Sequence, residues 1–163
     1  MQYYKKLIGD RIYLSPKGAS DDEIQKFTEW MNDLEVTDYI GRSGNLITLI
    51  GEKDYLENIN FIERSTILGI FIGDKDFRNN GYGTEAIKLV LEYGFKYLNL
   101  HSIRLDLLAV NERAHKCYLK CGFRDTGCSR EEIFLNGKYY DKLHMDILEN
   151  EFDGDYIRNK NIR

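Results

Sequence analysis

The spacing of apolar residues changes several times along the first third of the chain, and each change marks a predicted element. An alternating run predicts a first strand at about Arg11–Ser15. Helical spacing with a polar cap predicts an amphipathic helix from Ser20 or Asp21 to Met31, with Trp30 on its core face. A second helical pattern covers Leu46–Asn58. The first third is therefore expected to supply one strand and two helices.

The remainder of the chain alternates between strand and helix patterns. The predicted elements are a strand over Thr66–Ile72, a helix over Thr84–Leu98, a strand over Ile103–Val110, a helix capped by Asn111 that ends at Gly122, and two strands over Phe123–Phe134 and Tyr139–Leu148. The dipeptide Asn136-Gly137 predicts a tight hairpin between the last two strands. We therefore expect an α/β (α+β) fold.

Length and charge narrow the class of protein. At 163 residues the chain fits one domain, which we place at residues 1–148, with a charged tail over 149–163 that we expect to be frayed or loosely docked. The net charge of -4 gives no overall basic footprint for nucleic acid. No apolar run is long enough to cross a membrane.

Cysteine usage favours a reducing compartment. The chain has three cysteines, an odd number, and its first residues are polar, so we expect a cytoplasmic protein. Cys117 and Cys121 lie four residues apart on a predicted helix, and too few further ligands are nearby for a metal site. We interpret both as structural thiols and expect no bound metal. His101 and His144 are also expected to have structural roles.

A glycine-bearing turn over Gly73–Ala86 lies between the predicted strand and the next helix. Such a turn directs several backbone N–H groups to one side, and the helix dipole adds partial positive charge there. Gly81 and Gly83 allow close approach of the backbone, and Arg78 adds a permanent charge. The turn therefore suits a phosphate or pyrophosphate group.

Four interpretations of this turn compete. A P-loop requires a Lys-Ser/Thr pair after the last glycine, and none follows Gly83. A dinucleotide fingerprint is matched only in its relaxed form, with Ala86 in place of the third glycine. The pattern Arg/Gln-x-x-Gly-x-Gly/Ala is matched in full by Arg78, Gly81 and Gly83. The fourth interpretation is a plain strand-to-helix turn with two glycines.

A second motif follows about thirty residues later. Residues Asn111–Phe123 read Asn-x-x-Ala-x-x-x-Tyr-x-x-x-Gly-Phe, with the tyrosine at Tyr118. The two motifs together, in this order, resemble the signatures of the GNAT superfamily of N-acetyltransferases. Further pieces resemble the branch that acetylates the N-terminal amines of ribosomal proteins. These pieces are Gly69–Asp74, Gly81–Ala86, Tyr97–His101 and Asn136–Asp141. The resemblance covers about Leu7–Leu148.

The resemblance implies a mixed, mainly antiparallel central sheet flanked by helices. In the family a two-stranded hairpin precedes the strand before the loop, whereas only about seven residues (59–65) are available for it here. We therefore expect that hairpin to be missing. Its loss would leave one edge of the Thr66–Ile72 strand open, unless the first strand or a second chain pairs with it. An open edge favours a homodimer.

The resemblance also implies a reaction. A neutral amine attacks the thioester of acetyl-CoA directly, and Tyr118 is the candidate general acid for the leaving thiolate. The cofactor-binding residues that the resemblance implies are Phe71, Ile72, Gly73, Arg78, Asn79, Asn80, Gly81, Tyr82, Gly83, Thr84, Asn111 and Ala114. Asn111 could also be a plain helix cap, and by spacing alone Tyr118 would be a core aromatic. Asp33, Glu35 and Asp38 would border the acceptor site.

Several functions stay open at this level. The leading hypothesis, which the ribosomal-protein resemblance implies, is acetylation of an amine-bearing acceptor, a protein N-terminal amine. An α-amino group is already partly neutral near pH 8, so it could react without a strong base. A polyamine or aminoglycoside is the alternative acceptor. A non-catalytic acetyl-CoA-binding module would bind the cofactor without turnover, and a nucleotide-binding domain would prefer ATP or NAD.

Overall fold

The computed structural model describes residues 7–14, 21–33 and 59–158. The strands are β1 (Leu7–Ile8), β2 (Tyr13–Leu14), β3 (Ile59–Asn60), β4 (Ser65–Ile67), β5 (Ser102–Leu108), β6 (Arg124–Leu135) and β7 (Lys138–Leu148). The helices are α1 (Asp21–Met31), α2 (Tyr82–Glu92) and α3 (Glu112–Lys120), with short 3-10 turns at Lys75–Phe77 and Glu149–Glu151 and a π-helical turn at Tyr93–Tyr97.

Five of the strands form one sheet in the order β3-β4-β5-β7-β6. Strands β4 and β5 run parallel, and the other neighbours run antiparallel. The expected mixed, mainly antiparallel sheet with flanking helices is thereby confirmed. The parallel pair matters for function, because the carboxyl ends of neighbouring parallel strands meet at one edge of a sheet. The loop after β4 and the start of α3 after β5 are therefore brought together.

The main hydrophobic core lies between the sheet and helices α2 and α3. Ile103 faces Ile147 and Leu105 faces Met145 across the β5–β7 ladder, and all four side chains are almost fully buried. The other buried members of this cluster are Ile87, Leu91, Phe95, Leu100, Leu107, Tyr118, Cys121 and Phe123. Burial of these apolar side chains fixes both helices against the sheet and so sets the positions of their first turns.

The predicted elements are largely confirmed where the structure describes them. Helix α1 has the predicted end, and α3 ends before Gly122, whose φ of 98° is left-handed as expected for a helix terminus. The β6–β7 hairpin turns at Asn136 and Gly137, both with positive φ. The predicted helix over Leu46–Asn58 lies outside the described residues.

Three boundaries differ from the prediction. The single strand expected at Arg11–Ser15 is a small hairpin of β1 and β2. The strand expected over Thr66–Ile72 is only β4, although the Leu68 backbone N–H still donates to the Arg104 carbonyl at 2.7 Å. The carbonyls of Ile72 and Gly73 bond the side chain of Arg78. The helix expected from Thr84 begins two residues earlier, at the start of α2, and continues past Glu92 as a π-helical turn.

The short segment before β4 holds one strand of its own. Strand β3 pairs antiparallel with β4 through Ile59↔Thr66 and Asn60↔Ser65. This pairing covers two residues on the edge of β4, while Ile67 is 60% exposed. Within the described residues, β1 pairs with β2 and not with this edge.

The tail is packed against the rest of the protein as far as Arg158. Ile157 is fully buried, and its backbone N–H donates to the Glu92 carboxylate at 2.9 Å. The Arg158 guanidinium bonds Asp10 at 2.8 Å, and this pairing lowers the pKa of Asp10. Of the two states expected for the tail, frayed or loosely docked, residues 149–158 are docked, because a buried carboxylate on α2 takes backbone N–H partners from the tail.

Among the described residues, no helix combines the length and apolar character that a membrane crossing would require.

Candidate cofactor and catalytic site

The loop between β4 and α2 is held by its own side chains. Asp74 accepts from the Asp76 backbone N–H at 3.0 Å and so starts the 3-10 turn. The Asn80 amide donates to the carbonyls of Asp76 and Arg78, both at 3.1 Å. Asn79 adopts a positive φ of 61°. These contacts close the loop into a compact turn immediately before Gly81.

Arg78 braces the extended segment that precedes the loop. Its Nε donates to the Ile72 carbonyl at 3.1 Å, and its Nη2 donates to the Gly73 carbonyl at 3.2 Å. At the far end of the segment expected to be a strand, these two carbonyls are thus paired with a guanidinium. The sequence predicts that Arg78 binds a pyrophosphate. The structure shows that the same side chain also supports the preceding backbone segment.

The first turn of α2 begins at Gly81 without a capping side chain. Gly81 has a φ of 81°, and no side chain caps the N–H groups that follow it in Tyr82, Gly83 and Thr84. These amides carry the positive end of the helix dipole. Such a terminus can accept an anion directly, with close approach because glycines at 81 and 83 leave the backbone uncovered.

Arg11 was missed by the sequence analysis, and it ties the β1–β2 hairpin to this helix start. Its Nε and backbone N–H donate to the Glu85 carboxylate at 2.9 and 2.7 Å, and its Nη1 donates to the Asn80 carbonyl at 2.8 Å. The guanidinium also lies 5.1 Å from the centre of the Tyr82 ring. A Cβ at Gly81 would lie 3.0 Å from Nη2 of Arg11. No local pattern could have revealed these contacts, because Arg11 and Glu85 are 74 residues apart.

The Glu85 carboxylate is held in its charged form by these contacts. Burial by itself would raise the pKa of Glu85, but the backbone N–H groups of Arg11 and Ile12 and the Arg11 guanidinium outweigh that effect. The pKa of Glu85 is therefore lowered. A carboxylate in the first turn of α2 also complements the helix dipole without occupying its end.

The start of α3 is capped by a side chain. Asn111 is 8% exposed, and its Oδ1 accepts from the Ala114 backbone N–H at 3.2 Å. The helix-cap interpretation of Asn111 is thus confirmed. The structure brings Asn111 and Arg78 together, because both line a cavity of about 410 Å³. Its other lining residues are Val110, Glu112 and Arg113, which the sequence analysis did not single out.

Tyr118 lies two turns into α3 and is 8% exposed. Its ring packs edge-on against Phe123, with the ring centres 5.8 Å apart. Burial, followed by the neighbouring thiols Cys117 and Cys121, raises the pKa of Tyr118 to about 12. The core interpretation of Tyr118 is therefore confirmed, and its role as the general acid stays a prediction.

The two cysteines of α3 contact the first turn of α2. Sγ of Cys117 lies 3.2 Å from Oγ1 of Thr84, and Sγ of Cys121 lies 3.8 Å from the Thr84 carbonyl oxygen. Hydrogen bonding with Cys121 lowers the pKa of Cys117 to about 6, although burial opposes this shift. The same pairing and burial raise the pKa of Cys121. Thr84 is thus the point at which the two helices meet.

Aromatic side chains of helix α1 pack on the extended segment between β4 and the loop. The Phe27 and Phe71 rings lie 5.2 Å apart, and Trp30 meets Phe71 edge-on at 6.3 Å. A Cβ at Gly73 would lie only 2.1 Å from the Trp30 indole, so glycine is required there by close packing. The predicted core role of Trp30 agrees with this contact. Asp33 is partly buried, whereas Glu35 and Asp38 lie outside the described residues.

His144 links three strands of the sheet. Its Nδ1 bonds Asp106 on β5 at 2.8 Å, and its Nε2 bonds Ser129 on β6 at the same distance. His101 lies 3.6 Å from Glu149. Both contacts agree with the structural roles expected from the sequence.

Comparison with known proteins decides the family. The family model described as an acetyltransferase (GNAT) domain matches residues 19–124, which include both motifs. The chain belongs to the GNAT acetyltransferase family. The sequence-based expectation of this family is thereby confirmed.

Two curated relatives of this GNAT chain are spermidine N(1)-acetyltransferases. The protein from Vibrio cholerae is 38% identical over 75 residues, which are 46% of this chain and 43% of that protein. The protein from Escherichia coli K12 is 36% identical over 76 residues, which are 47% of this chain and 41% of that protein. The chain thus spans about two fifths of the length of the curated relatives it matches.

A solved structure supports the GNAT fold over a longer stretch. It is the spermidine N-acetyltransferase from Vibrio cholerae in complex with CoA and spermine, with a TM-score of 0.71 and 24% identity. The match covers 81% of this chain and 93% of that chain. At this identity the likeness establishes the fold.

Proposed function

We propose that this GNAT chain transfers the acetyl group of acetyl-CoA directly to a primary amine of a polyamine. The observation that carries the proposal is the uncapped first turn of α2, which follows three residues after Arg78, and Arg78 lines a cavity together with the start of α3. A polyanionic cofactor requires such a surface of backbone N–H groups and guanidinium groups.

The residues present fit coenzyme A. Gly81, Tyr82, Gly83 and Thr84 offer amides that have no competing side-chain cap, so they can bind the pyrophosphate. The neighbouring loop residues Asn79 and Asn80 would shape this site.

The extended segment next to the loop would bind the pantetheine arm. Phe71, Ile72 and Gly73 can pair with its amides as an added strand would. Arg78 orients that segment by holding two of its carbonyls, and Arg78 also lines the cavity. Asn111 and Ala114, at the start of α3, would bound the arm on the other side.

Tyr118 would supply the proton that the reaction needs. When bound, acetyl-CoA supplies an activated thioester whose sulfur must gain a proton as the acetyl group leaves. Because the pKa of Tyr118 is raised to about 12, its phenol keeps its proton at any physiological pH and can donate it. Ionisation of Tyr118 should therefore cause no loss of turnover below about pH 10.

The choice of acceptor rests on charge and on the relatives. Two relatives are spermidine acetyltransferases, and the net charge of this chain is -4, which favours a cationic acceptor over an anionic one. The protein N-terminal amine suggested by the ribosomal-protein motifs is the second candidate.

An acceptor panel separates these candidates. Purified protein and acetyl-CoA would be mixed with spermidine, an aminoglycoside or short peptides with free N-termini, and release of free thiol would be followed. We expect spermidine to give the highest kcat/KM. Turnover on peptides but not on spermidine would replace the polyamine by a protein acceptor, and cofactor binding without any turnover would indicate a non-catalytic module.

The role of Tyr118 is tested by Tyr118→Phe. We expect kcat to fall about ten-fold or more, with the affinity for acetyl-CoA unchanged within about two-fold. Tyr139→Phe, on an exposed ring 62% accessible to solvent, is the matched control and should keep full activity. Unchanged turnover in Tyr118→Phe would remove the general-acid assignment and leave Tyr118 as a core aromatic.

A further inference from the structure

The face of the sheet opposite the main core contains a serine, a histidine and an aspartate in hydrogen-bond contact. His144 on β7 lies between Asp106 on β5 and Ser129 on β6. Nδ1 of His144 lies 2.8 Å from Oδ1 of Asp106, and its Nε2 lies 2.8 Å from Oγ of Ser129. The contacts that link the three strands therefore also join a hydroxyl to a carboxylate through an imidazole ring.

The partner of each ring nitrogen assigns the proton on His144. A carboxylate can only accept a hydrogen bond, so the Nδ1–H group donates to Asp106. Nε2 of the neutral ring is then an acceptor, and the Ser129 hydroxyl donates to it. In this arrangement an imidazole can take the hydroxyl proton as a serine attacks a carbonyl carbon. Asp106 would not touch the reacting atoms, and it is a positioning residue that holds the ring and its tautomer.

We propose that Ser129 and His144, positioned by Asp106, form a hydrolytic site for small activated carboxylic esters. Oγ of Ser129 attacks the ester carbonyl carbon while its proton passes to Nε2 of His144. The carbon–oxygen bond to the leaving group breaks, and the alcohol departs with that proton. Water then attacks the acyl-serine, His144 takes a proton from it and returns a proton to Oγ, and the carboxylic acid is released. This activity does not rest on the proposed acetyl transfer.

A cation lies beside the serine. Lys142 is the register partner of Ser129 across the β6–β7 ladder, so both side chains lie on the same face of the sheet. The Lys142 ammonium lies 3.9 Å from Oδ2 of Asp106, and it also bonds the Glu132 carboxylate. An ammonium group next to the nucleophile can stabilise the negative charge that develops on the ester carbonyl oxygen.

Glu132 competes with His144 for the serine hydroxyl. Hydrogen bonds from Lys142 and then from Ser129 lower the pKa of Glu132. A hydroxyl has one proton, so donation to Glu132 withholds it from the imidazole. Removal of this carboxylate in Glu132→Gln should therefore leave the serine at least as reactive as in the wild type.

The backbone next to Ser129 is irregular. The register of β6 against β7 shifts between Ser129 and Ile133, which leaves residues 130–132 without partners in the ladder. Glu131 has a φ of 52°, and its backbone N–H donates to Oδ1 of Asp141 at 2.8 Å. Bulges and left-handed residues other than glycine are both enriched next to active sites. The irregularity therefore agrees with a functional role of the serine at its edge.

The exposure of the network sets the class of substrate. The side chains of Asp106 and His144 are 41% and 34% exposed, so small molecules and water can reach them. Water also screens the charges that stabilise an oxyanion, so the rate enhancement should be modest. An ester whose alcohol is a good leaving group needs less of this stabilisation than an amide does. Activated esters are therefore the class that fits.

Labelling with a fluorophosphonate tests the nucleophile. An activated serine displaces fluoride from this reagent and keeps the phosphonyl group on Oγ, and peptide mass spectrometry locates the adduct. Ser102 is the reference, because it is a similarly half-buried serine on the same sheet. We expect Ser129 to be labelled at least about ten-fold faster than Ser102. Equal labelling of the two serines, or no label on Ser129, would overturn the proposal.

The relay is tested by Asp106→Asn. The amide of asparagine can donate to Nδ1, which favours the tautomer whose Nε2–H cannot take the serine proton. Labelling of Ser129 should slow at least about ten-fold while the temperature of thermal unfolding stays within a few degrees. Unchanged labelling in this variant would show that the contacts between Asp106 and His144 are structural alone, and would contradict the relay.

Hydrolysis of p-nitrophenyl acetate, without acetyl-CoA, tests the complete reaction. Release of nitrophenolate should fall at least about ten-fold in Ser129→Ala, whereas Ser102→Ala should keep the wild-type rate. Circular dichroism would verify that both variants are folded. Equal rates in the wild type and Ser129→Ala would assign the hydrolysis to other nucleophiles and would overturn the esterase proposal, whatever the outcome of the acetyl-transfer assays.

Discussion

The first turns of α2 and α3 lie close together after neighbouring parallel strands, yet they are built differently. Helix α3 starts at Asn111, whose side chain caps the Ala114 N–H. Helix α2 starts at Gly81, which has no side chain, and its first turn has no side-chain cap. A side-chain cap stabilises a helix by itself, whereas an uncapped first turn leaves its N–H groups available to an external anion. The difference agrees with the proposal that the start of α2 binds a ligand, whereas the start of α3 is stabilised by its own side-chain cap.

The starts of the two helices also differ in the contacts that other segments make with them. The start of α2 is supported by Arg11, which bonds Glu85 and the Asn80 carbonyl. The start of α3 relies on its own local cap, and the contact with Thr84 is made further along the helix, by Cys117. The loop before α2 is thus supported by a distant segment, and its amides stay available for the proposed ligand.

The largest expected effect is on acetyl-CoA binding in Gly81→Ala. An L-residue at the observed φ of 81° is strained by roughly 1–2 kcal/mol, and the new Cβ would also lie 3.0 Å from Arg11. The loop should relax away from this conformation, and binding would have to restore it. We expect the dissociation constant, measured by calorimetry, to rise about ten-fold.

Gly137→Ala provides the matched control for that variant. Gly137 has a φ of 78° in the β6–β7 turn, and no atom lies within 4 Å of the Cβ that it would gain. The backbone strain is similar, so stability should fall in both variants, but only Gly81→Ala should lose affinity. Equal affinities of the two variants would contradict the assignment of the α2 start as the ligand site.

A smaller effect is expected from Arg11→Met. The change removes the guanidinium from Glu85 and Asn80 and should lower the free energy of unfolding by about 1 kcal/mol, a value limited by the exposure of Arg11. Affinity for acetyl-CoA should fall by a few-fold, because the loop loses its external support. Thermal unfolding and calorimetry would measure the two effects.

The pH dependence of the Arg11→Met effect follows from Glu85. Its pKa is lowered in the folded protein, so its ionised form stabilises the fold above the pKa of about 4.3 that an unfolded glutamate has. That stabilisation is lost as the pH falls through the folded pKa. The stability difference between wild type and Arg11→Met should therefore shrink below about pH 4. A difference that stays constant down to pH 3 would show that Glu85 is not the relevant partner.

The smallest effect on binding is expected at Asn111. Asn111→Ala removes the cap of α3 and should cost about 1 kcal/mol in unfolding free energy, while Asn111→Asp should retain most of that stability because aspartate also caps. Denaturant titration would measure both variants. Loss of acetyl-CoA affinity in Asn111→Ala that equals or exceeds the loss in Gly81→Ala would reverse the roles assigned to the two helix starts.

Local sequence patterns predicted the elements around the site. They did not predict contacts between residues that are far apart in the sequence. The glycine loop, the Asn111 cap and the Asn136-Gly137 turn depend on residues close in sequence, and all three are where the sequence placed them. Arg11 acts on a loop about seventy residues away, and no periodicity encodes that contact.

Two further differences have the same cause. Arg78 bonds the carbonyls of Ile72 and Gly73 at the end of the segment expected to be a strand, a contact that strand propensity cannot anticipate. The charged sequence of the tail predicted a frayed or loosely docked segment, yet the buried Glu92 carboxylate accepts a hydrogen bond from the Ile157 N–H. In both places one ionised side chain pairs with backbone groups, and this pairing overrides the local pattern.

The central claim, that the start of α2 binds the pyrophosphate of acetyl-CoA, is tested most directly by calorimetric titration with two ligands. Acetyl-CoA contains the pyrophosphate, and S-acetylpantetheine presents the same thioester arm without it. We predict that acetyl-CoA binds with a micromolar dissociation constant and that S-acetylpantetheine binds at least about ten-fold more weakly. Equal affinities for the two ligands, or no binding of acetyl-CoA to the folded protein, would contradict the claim.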